Sequence, residues 1–200
     1  YGKWKALHYK TRESFATNLI SLHKKIDEFD IYYVTDSLVE SNLTLDLEMI
    51  DFKGNLIKSW TKKFKSKSNN SKKIISLNYK SLLLNDDFLR DKYIQAKVYR
   101  GNNLITKKTE YLTDFKNLKL TKPDFKYDII INKEFFEIRL VSKNLVKNLF
   151  LSSSIESNFS DNYFDLIPNE EKLISIKREK FKSVKNFKEG LSFISLYDTY

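Results

Sequence analysis

The chain has no cysteine among its 200 residues, which excludes disulfides and thiolate metal sites and leaves its redox compartment unreadable. Its two histidines, His8 and His23, lack a second ligand at metal spacing and make no defensible Ser–His–acid arrangement. Four glycines provide no phosphate-cradling loop. No apolar run approaches the roughly 18 residues needed to span a bilayer. The first residues also lack the charged-then-apolar order of a signal peptide. A soluble protein is therefore expected. Zinc spacings and RNA-binding aromatic signatures are missing too. No metal, cofactor, nucleic-acid or membrane partner is expected.

What is present suits folded structure. Hydrophobic residues make up 41% and charged residues 31%, an ordinary balance, and 14% aromatic residues favour strands. The length allows one large domain or two small ones. The net charge of +10 is uneven: residues 51–100 hold 13 Lys and Arg against 4 Asp and Glu, while 151–200 hold 7 against 8. Such a field can draw an acidic polymer to residues 58–73. Its plainer meaning is a solvated, lysine-rich sheet face that resists strand-to-strand aggregation.

In order along the chain, residues 3–16 read as a helix, with Trp4, Leu7, Tyr9 and Phe15 among charged residues but in no single stripe. Such a helix needs cover. It is expected to fray, to rest on the first sandwich, or to enter a contact with another molecule. From Asn18 the period changes to two. Leu43, Leu45, Leu47 and Met49 alternate with polar residues, Lys53-Gly54-Asn55 makes a hairpin turn, and Leu56 to Phe64 returns. Leu82 to Asp87 suggests a short helical crossover, and Tyr93 to Leu112 a closing hairpin. Seven strands in this span suit an immunoglobulin-like sandwich. After Pro123 a second set of strands begins at Phe125. Residues 178–189 read as a helical turn or a loose loop, and a final strand covers residues 191–196. The expected fold is mostly β: two consecutive immunoglobulin-like antiparallel sandwiches after a short N-terminal helix. Their expected bounds are 1–17 for the helix, 18–116, a linker at 117–123, and 124–200.

The stretch Phe159-Ser160-Asp161-Asn162-Tyr163-Phe164-Asp165-Leu166-Ile167-Pro168 organises the second half. Ser160, Asp161 and Asn162 are turn formers. Tyr163 and Phe164 supply rings to a strand, and Pro168 stops it. The plain reading is a sandwich corner. The functional one is a ligand loop using Asp161 and Asn162. Trp60, flanked by lysines, is either a half-buried packing residue or a platform for a sugar ring.

The segment Phe159 to Asp165 resembles the C-terminal β-sandwich of family 2 glycoside hydrolases of the β-mannosidase type. The ending Ser195-Leu196-Tyr197-Asp198-Thr199-Tyr200 is similar to that family's, and Trp4-Lys5-Ala6-Leu7-His8-Tyr9 resembles the start of the last helix of its catalytic barrel. The resemblance implies accessory sandwiches bracing a barrel that removes terminal non-reducing β-D-mannose with retention. It also implies that the two catalytic glutamates, carboxyls about 5 Å apart, lie on barrel strands upstream of Tyr1. No glutamate here sits in that motif, so no catalytic residue is expected. The expected partners are the barrel and a mannose-containing oligosaccharide. The parent would be secreted, periplasmic or lysosomal. Weak carbohydrate-contact candidates are Trp60, Asp161, Asn162 and Tyr163. The alternative is a carbohydrate-binding β-sandwich module with an aromatic platform at Trp60 or Tyr163.

Overall fold

The structure, a computed structural model, describes residues 4–25, 28–78 and 86–199. The chain divides into two compact units: Ser14–Lys119, and Leu120–Tyr200 together with Tyr1–Glu13.

The first unit contains β1 (Asn18–Lys24), β2 (Glu28–Thr35), β3 (Ser41–Asp51), β4 (Leu56–Ser66), β5 (Asn70–Asn78), β6 (Lys92–Arg100) and β7 (Asn103–Tyr111). They form an antiparallel three-stranded sheet, β1-β2-β5, and an antiparallel four-stranded sheet, β4-β3-β6-β7. Period-two alternation builds the core between them. Leu43, Leu45, Leu47 and Met49 from β3 and Ile94, Ala96 and Val98 from β6 join Phe29, Ile31 and Tyr33 from β2. The β3–β4 hairpin turns at Gly54, which holds φ at +88°, a conformation glycine adopts without strain. Asp51 caps this turn by accepting hydrogen bonds from the Lys53 and Asn55 amides. Of the expected helical crossover, Leu82 to Asn85 lie outside the described residues, and Asp86–Leu89 forms a 3-10 turn.

Asp30 points to the outer side of β2, between the core residues Phe29 and Ile31, yet is only 1% exposed. Lys25 and Lys73 cover it at 2.6 and 3.4 Å, and Ser76 donates a hydrogen bond to it. These donors, Lys25 first and Ser76 next, hold its carboxyl well below the usual carboxylate range.

The second unit contains α1 (Ala6–Ser14, of which the unit takes residues to Glu13), β8 (Phe125–Ile131), β9 (Phe135–Ser142), β10 (Val146–Ser152), β11 (Phe164–Leu166), β12 (Glu171–Lys177), α2 (Val184–Gly190) and β13 (Ser192–Ile194). Its antiparallel sheets are β12-β9-β8 and β11-β10-β13. Phe136, Ile138 and Leu140 of β9, Leu149 and Leu151 of β10, and Ile174 and Ile176 of β12 fill its core. The segment expected as a helical turn or loose loop is a capped helix: the Ser183 hydroxyl accepts from the Asn186 amide, and Phe187 is fully buried. Gly190 closes α2 against Ser154, whose side chain leaves no room for a Cβ there. The final strand is shorter than expected, because residues Leu196–Thr199 close into a 3-10 turn held by Asp198 accepting from the Ser195 amide and hydroxyl.

The N-terminal helix is seated within the second unit. Tyr9 is buried and donates its hydroxyl to the Phe159 carbonyl at 3.2 Å, Arg12 donates to the Ser160 carbonyl at 2.9 Å, and the Trp4 amide donates to the Asn158 side chain. Sequence periodicity could not show this, since the partners lie about 150 residues away. Counted this way, the first unit holds 19 basic and 13 acidic residues and the second 17 and 13, so the units are nearly equally basic. What differs is distribution: residues 52–85 hold nine lysines and no acidic residue.

Candidate functional site

The loop from Phe159 to Tyr163 is positioned from three sides. Phe159 is buried and bridges to Ile176 beside β12. Ser160 donates its amide to the Ser175 carbonyl at 2.8 Å, and its hydroxyl accepts from the Ser175 amide at 2.9 Å. The helix α1 supplies Arg12 and Tyr9 from the third side.

Within this frame each candidate side chain has a partner in its own unit. The Asp161 carboxylate meets Lys172 at 2.6 Å and Arg12 at 3.5 Å, and accepts from the Asn162 amide. Asn162 is buried; its Oδ1 accepts from the Leu151 amide at 2.8 Å, and its Nδ2 donates to the Leu151 carbonyl at 2.8 Å. The side chain thereby imitates a strand beside β10, satisfying the Leu151 backbone groups past the end of the β10–β11 ladder, which pairs Leu149 with Phe164. Tyr163 was expected in a strand. It precedes β11 instead, with φ at +58°, a left-handed conformation uncommon for a bulky residue. Asn162 Oδ1 accepts its amide at 3.0 Å, and its ring stacks on Phe150 at 4.7 Å between centroids. Burial pushes the pKa of the Tyr9 phenol up, with the Asp161 carboxylate adding to the effect. Arg12, Lys172 and Tyr9 were not singled out from the sequence. Their signal is tertiary, and the local pattern around Asp161 contains none of it.

Beside the loop lies a cavity of about 20 Å³ lined by Trp4, Tyr9, Ser153, Asn158 and Asn162. It is large enough for one water and far too small for a sugar ring.

Trp60 sits in the first unit, on the edge strand β4 opposite Leu47. It is half-buried against the core, and the Lys58 ammonium lies 5.5 Å from its ring centroid. Sequence reasoning offered packing residue or exposed platform. The ring packs on the core and is partly open.

Four carboxyls of the first unit lie below their ordinary values. Lys25 and Ser76 lower Asp30, Lys65 lowers Glu40, and Lys119 lowers Asp87. At Asp51 burial pushes upward, but hydrogen bonds from Asn55 and Lys53 outweigh it. Among the described residues no cluster of three or more His, Asp or Glu side chains is placed to hold a metal ion. No helix among them is long and apolar enough to cross a membrane. At the Phe159–Tyr163 corner, Asp161 and Asn162 have their polar groups paired within their own unit.

Two family models match the two units. Residues 27–117 match a mannosidase Ig/CBM-like domain, and residues 120–199 match the Ig-fold domain of mannosidases. The chain belongs to the accessory β-sandwich region of mannosidase-type family 2 glycoside hydrolases. Its fold is similar to part of the β-D-mannosidase from Dictyoglomus thermophilum, with a TM-score of 0.75 at 15% identity over 94% of this chain and 23% of that one. The exo-chitosanase from Amycolatopsis orientalis is also similar, with a TM-score of 0.57 at 9% identity over 94% of this chain and 26% of that one. The chain thus spans about a quarter of the length of these enzymes. No curated protein sequence matches it. Both mannosidase-type units are immunoglobulin-like antiparallel sandwiches, as their strand alternation implied.

Proposed function

We propose that these two mannosidase-type sandwiches brace the catalytic barrel of a β-mannosidase-like enzyme that removes terminal non-reducing β-D-mannose by a retaining mechanism. The observation that carries this reading is the N-terminal helix α1. One side is fixed to the second unit through Tyr9 and Arg12. Beyond that seat, within the same unit, Leu7 is 76% exposed and the Trp4 side chain 37%. A nine-residue helix is too short to be stable in isolation, and large apolar side chains left open beside a fixed element suit a partner surface. A catalytic barrel packed there would cover both. The names of the two matched domain types support the substrate class.

The purified chain is expected to leave an aryl β-mannoside unhydrolysed, whereas the protein carrying a catalytic domain ahead of it turns the substrate over. In that longer protein, Leu7→Glu lowers the melting temperature. In the chain alone the same substitution changes it little. Turnover by the chain alone, abolished by one glutamate substitution within it, overturns the reading.

A second reading, a carbohydrate-binding module, is favoured by the half-open ring of Trp60 within the Ig/CBM-like domain. In this reading Trp60 is the main contact. Asp161, Asn162 and Tyr163 would contribute only through the surface left by their internal partners. Titration with mannan, followed by tryptophan emission, separates the readings, because a bracing domain gives a flat response.

A further inference from the structure

Within the acid-free run of residues 52–85, β4 carries Lys58, Lys62, Lys63 and Lys65, and β5 carries Lys72 and Lys73. Both are edge strands, so these lysines line one rim of the first unit. β4 is an edge strand, so half of its backbone N–H and C=O groups point away from the sheet. Lys58 and Lys62 share a face with Trp60 and Phe64, since all four oppose the inward residues Met49, Leu45, Leu47 and Leu43 of β3. Lys63 and Lys65 project from the other face, and all four lysines are exposed. Lys67 and Lys72 extend the row, with Lys72 donating to the Lys65 carbonyl at 3.1 Å. From Lys58 to Lys67 the extended backbone runs roughly 30 Å. Three carboxylates meet these two strands: Glu40 pairs with Lys65 at 2.6 Å, Asp30 lies 3.4 Å from Lys73, and Asp46 accepts from the Thr61 hydroxyl.

We propose that this rim is a docking strip for an acidic polysaccharide, a polymer bearing uronate carboxylates on successive sugars. Two features select a glycan over a nucleic acid. The chain belongs to the accessory region of a glycoside hydrolase, and the inference rests on that membership, not on the proposed mannoside substrate. The strip is also poor in free rings. Phe64 leans into the core and the Trp60 ring already has the Lys58 ammonium beside it, whereas proteins that hold single-stranded nucleic acid offer successive rings for stacking. A polyuronate instead needs a row of cations and outward backbone groups to meet its carboxylates and hydroxyls.

Calorimetric titration of the full chain with polygalacturonate tests this, with neutral mannan and oligothymidine as comparison ligands. Polygalacturonate is expected to bind, and to bind more weakly as salt rises, since exposed charges are screened over about 10 Å at 0.1 M salt. The triple variant Lys58→Gln, Lys62→Gln, Lys63→Gln weakens binding about tenfold or more, while Lys126→Gln, Lys133→Gln, Lys177→Gln in the second unit changes it less than about threefold. In a Trp4→Phe background, the Trp60 emission shifts on binding, a readout that does not depend on the triple variants. Any of three results overturns the proposal: no binding at low salt, equal losses in both triple variants, or tighter binding of oligothymidine. Failure here leaves the mannoside assay untouched, so the two readings fail separately.

Discussion

The two sandwiches solve one problem by different means. In the first unit, β3 and β4 run for 11 residues each and pair almost throughout, so backbone ladders carry the sheets. In the second, β11 and β13 are three residues long, and the sheet they flank is held largely by side chains. Asn162 substitutes for a missing strand beside Leu151, and Lys147 pairs with Asp165 at 3.0 Å while the same carboxylate accepts from the Asn148 amide. Phe136, Phe181 and Phe187 pack as a ring trio, with Phe187 4.9 Å from each of the others. Where ladders are short, single side chains acquire the importance that a whole strand has elsewhere. Each unit holds one tryptophan, Trp4 or Trp60, so the contrast can be measured unit by unit after replacing one of them.

The largest effect expected is at Phe187. Phe187→Ala removes a fully buried ring from the trio and costs the second unit about 3–5 kcal/mol. Denaturation followed by Trp4 emission checks it, and the Trp60 transition stays put. Asn162→Ala comes next. It strands the Leu151 amide and carbonyl, for about 2–4 kcal/mol in the same unit. Asn162→Asp keeps the acceptor but turns a carboxylate oxygen on the Leu151 carbonyl at a buried position, and costs at least as much. Equal shifts in both units would dissolve the contrast between ladder and staple.

A smaller effect belongs to the first unit and depends on pH. Asp30 is held below its unfolded pKa, so its stabilising contribution is complete above about pH 4 and is lost as pH falls toward the lower folded value. The melting temperature read at Trp60 should therefore fall as the solution is acidified below about pH 4, and Asp30→Asn should make that fall shallower. An unchanged slope would show that Lys25 and Lys73 leave the carboxylate essentially as solvated as in the unfolded chain.

The ladders were legible because alternation is local. Leu43, Leu45, Leu47 and Met49 announce β3 without knowledge of any partner. The seat of α1 was not legible, because Tyr9 and Arg12 look the same in sequence whichever unit they meet. Turn chemistry around Ser160, Asp161 and Asn162 located the corner, yet gave no sign that Asn162 would reach Leu151 or that Lys172 and Arg12 would meet Asp161. Trp60 was ambiguous for a related reason: β4 is an edge strand, where an inward position is only half covered. Helix α2 lacked a clean stripe because Phe181 lies outside it while still packing on Phe187.

The second unit draws on residues before and after the first, with Tyr9 reaching Phe159 across 150 positions. During synthesis the helix therefore emerges long before its seat exists. At ribosomal speeds it waits roughly 10–30 s while the intervening sandwich is made and can close. The first unit then works as a clasp that brings distant ends of the chain together, shrinking the loop that the late-forming unit must close.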